Sequence, residues 1–153
     1  MPGKFYVAVA AFMEKNGKLL ILKRSSHHDY DPGKWETVSG RLEQHSKDVK
    51  NELKREIKEE LGDDFNCKII APFGTYHFYR DKGKAKEHVG IDYIARYISG
   101  KIKLSKEHTE YRWINPQDFV NYKSSSSLQD KVRLFIKVNK WFLRNSSIFQ
   151  NYT

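Results

Sequence analysis

The segment Arg55-Glu56-Ile57-Lys58-Glu59-Glu60-Leu61-Gly62 decides how this sequence is interpreted. On a helix, positions 59 and 60 lie about one turn after position 56. All three side chains therefore project from one face, and three carboxylates stand close together. Such acids repel one another, by roughly a few tenths of a kcal/mol per exposed pair. A hard divalent cation reverses the sign of that interaction, because Mg²⁺ prefers oxygen ligands in an octahedral shell. The segment therefore predicts a helix that carries a metal site.

A solvated acidic face is the alternative role for such a helix, because charged residues usually occupy the exposed side. The complete pattern favours the metal site, since Arg-Glu-apolar-any-Glu-Glu-any-Gly occurs by chance in about one of ten thousand chains of this length. Arg55 can reach Glu59 one turn later and fix the conformation of that ligand. Ile57 and Leu61 continue an apolar stripe at fourfold spacing, which we expect to hold the helix against a core.

The rest of the chain predicts strands around two helices. The first helix is expected over 47–61, with Ser46 as its N-cap and Gly62 just beyond its end. Asn16-Gly17 predicts a hairpin turn, and Pro116 begins a short helical turn. The predicted strands cover 5–12, 19–23, 67–70, 73–79, 89–98 and 110–114. The second helix is predicted over 128–143, with these residues facing inward: Leu128, Val132, Phe135, Ile136, Asn139, Phe142 and Leu143. This order predicts an α+β fold, an α/β/α sandwich in which helices flank a mixed sheet.

Residues 55–62 resemble the second half of the Nudix box, the signature of the Nudix (MutT-related) hydrolase superfamily. Two upstream segments, 33–36 (GKWE) and 39–43 (SGRLE), resemble the stretch that leads into that box. Residues 107–113 resemble the loop and strand that often close the family's site. The resemblance covers about residues 5–119 and implies a Nudix-type mixed sheet flanked by helices. We interpret residues 1–153 as a single Nudix hydrolase domain with a basic C-terminal helix.

The sequence departs from the family pattern at one position. The box runs Gly, five residues, Glu, seven residues, then Arg-Glu. Counting forward from Gly40 places its first Glu at Ser46, and counting back from Arg55 places it at Lys47. The loop therefore carries one extra residue, and the first acid of the box is absent. Because that acid usually plays a supporting part, we expect activity to survive.

The resemblance implies a hydrolase that cleaves a pyrophosphate bond by attack of water at phosphorus. Its substrate would be a nucleoside diphosphate linked to another group: a nucleoside triphosphate, ADP-ribose, a nucleotide sugar or a dinucleoside polyphosphate. The implied cofactor is Mg²⁺, with Mn²⁺ as an alternative, bound by Glu56, Glu59, Glu60 and the backbone carbonyl of Gly40. The implied catalytic acids are Glu56, Glu59 and Glu107. Both Glu56 and Glu107 are candidates for the general base, and Glu107 is preferred because a loop acid can move in with the substrate.

Further residues are candidates for binding the substrate. Arg24 and Arg41 are expected to contact phosphates, although either could be an ordinary surface cation. Trp35, Tyr76 and Phe78 are candidates for stacking on the nucleotide base, and a place in the core is the alternative. Strand alternation puts Tyr76 and Phe78 on one face.

Charge and composition limit the partners. The formal charge is +9, and residues 120–153 carry six Lys or Arg against one Asp. This basic tail is compatible with RNA, although a nucleotide substrate also explains it and a solvated helix face is the simpler interpretation. A non-catalytic module that binds nucleotide or RNA is the alternative function. The sequence shows no membrane span, and its single cysteine fits a cytoplasmic protein, either monomer or homodimer.

Overall fold

The computed structural model describes residues 3–81, 83 and 86–145 of the chain. The strands in this part are β1 (Tyr6–Lys15), β2 (Lys18–Arg24), β3 (Trp35–Glu36), β4 (Val38–Arg41), β5 (Asn66–Tyr79), β6 (Glu87–Ser99) and β7 (His108–Ile114). The helices are α1 (Val49–Leu61), a 3₁₀ helix (Pro116–Asn121) and α2 (Ser126–Arg144).

The described strands form one mixed sheet around β1. Strand β1 pairs in parallel with β6 along one edge, and β5 continues the sheet antiparallel to β6. On its other edge β1 pairs antiparallel with β4, and also with β2 through the predicted turn at Asn16-Gly17. Strands β3 and β7 pair with β2. The predicted mixed sheet is therefore confirmed.

Helices cover both faces of this sheet. Alternation along β1 sends Val9, Ala11 and Met13 into a core that α1 completes. The intervening Ala10 and Phe12 belong to a second core, which α2 completes with Val132, Phe135 and Phe142. The predicted α/β/α layering is confirmed.

Helix α1 begins later than predicted. Asp48 is its N-cap, with a carboxylate oxygen that accepts a hydrogen bond from the Lys50 amide at 2.7 Å. The predicted N-cap at Ser46 is therefore wrong, because the aspartate two residues later supplies the oxygen that the first turn needs. Gly62 ends the helix as predicted, with a φ of 93° and its amide bonded to the Lys58 carbonyl at 2.8 Å.

Three further details differ from the prediction. The two strands predicted over 67–79 are one strand, β5, which passes Pro72 by shifts in register on both sides. The segment 25–44, which lies outside the predicted strands, contains β3, which pairs with β2, and β4, which pairs with β1. Leu143 is 45% exposed rather than inward, because its neighbour Phe142 takes the buried face of α2.

Candidate active site

A cavity of about 730 Å³ opens between the sheet, the end of α1 and the start of α2. Ten of the eleven residues proposed from sequence line it: Arg24, Trp35, Gly40, Arg41, Arg55, Glu56, Glu60, Tyr76, Phe78 and Glu107. Glu59 is the exception.

Glu60 is the most unusual side chain in this cavity. It is only 5% exposed, and the backbone of Ser39 is hydrogen-bonded to it. Its second carboxylate oxygen is buried without a hydrogen-bond partner. Burial raises the pKa of Glu60 well above its usual value, and the negative charges of Glu36, Glu56 and Glu107 add to the shift. A buried carboxylate oxygen without a partner is costly, and a bound cation would satisfy it.

Glu56 lies one turn before Glu60 and contacts strand β4. A Cβ atom added to Gly40 would overlap the carboxyl group of Glu56, so only glycine allows this close approach. Burial raises the pKa of Glu56, and the charge of Arg55 opposes that shift. The Glu56 carboxylate is thus held beside the backbone of Gly40.

Arg55 connects the acidic residues of α1. Its guanidinium donates to Glu59 at 2.7 Å, to Glu56 at 2.8 Å and to Glu52 at 3.1 Å. The Glu59 side chain is 56% exposed and is held by Arg55 at the rim of the site. Accordingly, the described residues contain no group of three His, Cys, Asp or Glu side chains already assembled around one point. Glu59 would have to leave Arg55 to join Glu56 and Glu60 on a metal.

Glu107 approaches the same acids from the loop before β7. Its charge contributes to the raised pKa of both Glu56 and Glu60. The backbone carbonyl of Glu107 accepts a hydrogen bond from the Ser25 amide at 2.8 Å, which joins this loop to the one after β2. Three acids from two elements therefore face one end of the cavity.

The sequence did not single out Glu36 and His108. Glu36 forms an ion pair with Arg24 and a 2.8 Å hydrogen bond with Nε2 of His108, which is 5% exposed. Arg24 also donates to the Tyr30 carbonyl at 2.6 Å. The structure therefore gives Arg24 protein partners within the wall of the cavity. The GKWE segment was a local signal for Glu36, but only the pairing of β2 with both β3 and β7 brings His108 to it.

Aromatic rings form a row across β1, β6 and β5. His88 stacks on Tyr6 at 5.0 Å and on Phe78 at 4.7 Å between ring centroids, and Phe78 stacks on Tyr76 at 5.5 Å. Arg41 lies over the Tyr6 ring at 5.3 Å. Tyr76 and Phe78 share one face, as alternation predicts, and the rings stack mainly on one another.

Trp35 belongs to the second core, the one that α2 completes. It lines the cavity, but it is only 8% exposed and packs edge-on against Tyr122. The guanidinium of Arg112 lies 5.2 Å from its ring centroid.

The sequence also does not single out Lys131 of α2, which belongs to the basic tail. Its ammonium lies 3.5 Å from Asp92 and 2.8 Å from the centroid of the Tyr76 ring, at the β5 side of the cavity. No sequence motif marks Lys131, since its partners come from β5 and β6.

Comparisons with known proteins agree with this geometry. A family model described as the NUDIX domain matches residues 4–134. The chain is 27% identical over 132 residues to the nucleoside triphosphatase NudI of Escherichia coli O139:H28, which covers 82% of this chain and 93% of that protein. NudI of Shigella flexneri shows the same identity and coverage. The crystal structure of the MutT protein from Methanosarcina mazei Go1 has the same fold, with a TM-score of 0.72, 24% identity and coverage of 92% of this chain and 99% of that one. The chain therefore belongs to the Nudix family of hydrolases.

Proposed function

We propose that this enzyme is a Mg²⁺-dependent hydrolase that cleaves the pyrophosphate bond of a nucleoside diphosphate linked to another group. The observation that carries this proposal is Glu60, a buried carboxylate with an oxygen that has no partner, beside Glu56 and Gly40. Such an oxygen fits a hard divalent cation. Similarity to nucleoside triphosphatases supports a nucleotide substrate.

The residues present fit a metal ion at this end of the cavity. Glu56, Glu60 and the Gly40 carbonyl would hold it, with Glu59 joining after release from Arg55. When bound, Mg²⁺ or Mn²⁺ lowers the pKa of water and neutralises phosphate charge. Arg55 holds Glu56 in place, and Arg41 supplies positive charge at the rim.

Glu107 is the proposed general base. It is exposed on a loop, so it keeps the freedom to approach an attacking water, whereas Glu56 is fixed between Gly40 and Arg55. Accepting a proton there leaves the metal-binding carboxylates ionised.

We further propose that residues 1–153 act as one domain, as a monomer or homodimer in the cytoplasm. No helix in the described part of the chain is long and apolar enough to cross a membrane. Helix α2 places Lys131 in the cavity, which supports a small nucleotide substrate over RNA as the reason for part of the basic charge.

One experiment tests the function. The protein is incubated with Mg²⁺ and nucleoside triphosphates, ADP-ribose, nucleotide sugars, dinucleoside polyphosphates and capped RNA, with and without EDTA. We expect turnover of at least one nucleotide and complete loss of turnover with EDTA. Turnover that is unaffected by EDTA would refute the metal-dependent reaction. Tight binding of nucleotide or RNA without turnover would establish the non-catalytic alternative. The absence of the first acid of the box, at Ser46 or Lys47, favours that alternative.

The Gly40→Ala variant tests the contact between β4 and Glu56. The added methyl group overlaps the Glu56 carboxyl, so we expect this carboxylate to be displaced and kcat to fall by about 10- to 100-fold. Circular dichroism and the Mg²⁺ dependence of kcat are the measurements. Gly3→Ala is the control, because Gly3 lies outside the left-handed region and a Cβ there makes only an ordinary contact with the Phe5 ring, at 3.6 Å. Equal activity in Gly40→Ala and wild type would contradict the placement of Glu56.

The Glu107→Gln variant tests the general base. Loss of a positioned base costs about 100- to 10,000-fold in rate, so kcat should fall within that range while Mg²⁺ affinity stays near normal. The pH profile of kcat distinguishes this role, because the limb on the acidic side should disappear with the carboxylate. A profile that keeps its acidic limb would assign the base to another residue.

A further inference from the structure

The cavity has a second end, at the β5 edge, which the proposed reaction does not use. In the sheet, β4 lies on one side of β1, and β6 and then β5 lie on the other. Three strand spacings therefore separate the β4 side, where the acids lie, from β5, which is about 14 Å. Both ends belong to one cavity, so a substrate with its phosphates at the acids would have room to extend its nucleoside toward this second end.

Small residues form the floor between the two ends. The register places Ala8, Gly90 and Tyr76 in one row across β1, β6 and β5, and Ala10 and Asp92 in the next. A Cβ on Gly90 would overlap the Tyr76 ring, so this ring lies directly on the strand. The Tyr76 ring therefore covers Gly90, and a flat group beside that ring would lie over the part of the floor that Ala8 and Ala10 form.

Lys131 reaches this end of the cavity from α2. Its side chain is 16% exposed, and Asp92, to which it is paired, is 2% exposed. The ammonium also rests on the Tyr76 ring, with 2.8 Å to the centroid. Both partners hold the Lys131 nitrogen in one place, and an ammonium has three donor hydrogens and no acceptor.

The charge at this end differs from that of a phosphate site. Asp92 offsets the charge of Lys131, so the pair adds little net positive potential. Burial lowers the pKa of Lys131 to about 8, and the pKa of Asp92 is raised to about 6, also by burial, so both remain largely ionised at neutral pH. A neutralised, fixed donor suits a neutral acceptor such as a carbonyl oxygen.

We propose that Lys131 selects the nucleobase, by donating a hydrogen bond to the oxo group of guanine, hypoxanthine, uracil or thymine. Adenine and cytosine present an amino group at the corresponding position, and an amino group facing Lys131 places donor against donor. Leu128, also at this end, gives the base an apolar wall. This inference rests on the proposed function, since it assumes that the phosphates lie at Glu56 and Glu60.

The test uses substrate pairs that differ only at that position. UTP is compared with CTP, and ITP with ATP, as triphosphates and as the matching nucleotide sugars, by kcat/KM with Mg²⁺. We expect the oxo member to be preferred by about tenfold or more in kcat/KM, because the Lys131 ammonium can donate a charge-assisted hydrogen bond to an oxo group and none to an amino group. The preference should appear mainly in KM.

Variants at Lys131 test whether this side chain causes the preference for the oxo member of each pair. Lys131→Met keeps the length without donors, and the preference should fall to near one, whereas Lys131→Arg should retain part of it. Because Lys131→Met leaves Asp92 unpaired, the double variant with Asp92→Asn is measured too. Lys137→Met is the matched control, since Lys137 is exposed on the same helix.

The outcomes separate this inference from the proposed function. Kd values for the same pairs are measured by calorimetry with Ca²⁺ in place of Mg²⁺. Base preference in Kd without turnover would refute catalysis and keep the inference. Turnover without base preference, or a preference unchanged in Lys131→Met and in the double variant, would overturn it. An equal loss of kcat/KM for all nucleotides in those variants would show that Lys131 contacts the phosphates, and this result would also overturn the inference.

Discussion

The Glu60→Gln variant should lose more than about 100-fold in kcat, and yet its metal-free form should be more stable than metal-free wild type. The amide keeps the shape of the side chain but removes the charge that we propose binds the cation. Supporting partners of metal ligands cost about 10- to 100-fold, so a direct ligand should cost at least as much. Glu60 is buried with one oxygen unpartnered, so its ionised form destabilises the protein when no metal is bound.

The sign of the stability change follows from the raised pKa of Glu60. A carboxyl whose pKa is higher in the folded protein binds more protons there than in the unfolded chain, so its contribution to stability falls as pH rises through that range. At neutral pH the Glu60 carboxylate thus lowers stability, and a neutral glutamine does not.

Thermal unfolding with EDTA and with Mg²⁺ measures both effects. With EDTA, Tm should be higher for Glu60→Gln than for wild type. Added Mg²⁺ should raise Tm for wild type and leave the variant almost unchanged. Asp63→Asn is the control, because Asp63 is an exposed acid just beyond α1. A near-normal kcat in Glu60→Gln, or a Tm that responds to Mg²⁺ as in wild type, would show that Glu60 is not a metal ligand.

Among the glycine-to-alanine variants, Gly100→Ala should cause the largest loss of stability. Gly100 follows β6 with a φ of +95°, and a Cβ there would overlap the backbone carbonyl of Asp64. Strained backbone costs about 1–3 kcal/mol, and a clash with backbone cannot be relieved by turning a side chain. We expect a loss of about 3 kcal/mol or more in the free energy of unfolding, measured by urea denaturation.

The Gly17→Ala variant separates the cost of the backbone strain from the cost of the clash with backbone atoms. Gly17 also has a positive φ, of 79°, but a Cβ there meets no atom within 4 Å. Only the conformational cost applies, so the loss should be about 1–2 kcal/mol. Equal losses in the two variants would show that the close approach of Gly100 to Asp64 does not contribute.

The two variants also show which parts of the fold are local. Asn16-Gly17 is readable as a turn because its geometry depends on adjacent residues. The need for glycine at position 100 depends on Asp64, 36 positions earlier in the sequence, and no local pattern carries it.

The sequence by itself determined helix α1, its end at Gly62, the mixed sheet with helices on both faces, and the family. These follow from patterns within a few residues: a fourfold apolar stripe, alternation along strands, and acids spaced by one turn. The same patterns placed Glu56 and Glu60 on one face of α1, before any partner from the sheet was known.

Only the tertiary structure decided what those acids meet. It set Glu56 against Gly40, left one oxygen of Glu60 without a partner, and held Glu59 away on Arg55. It also joined Glu36 to His108 and Lys131 to Asp92, residues 72 and 39 positions apart. The physical reason is that strand order brings distant side chains together, and the residues near each of them in sequence do not record that order.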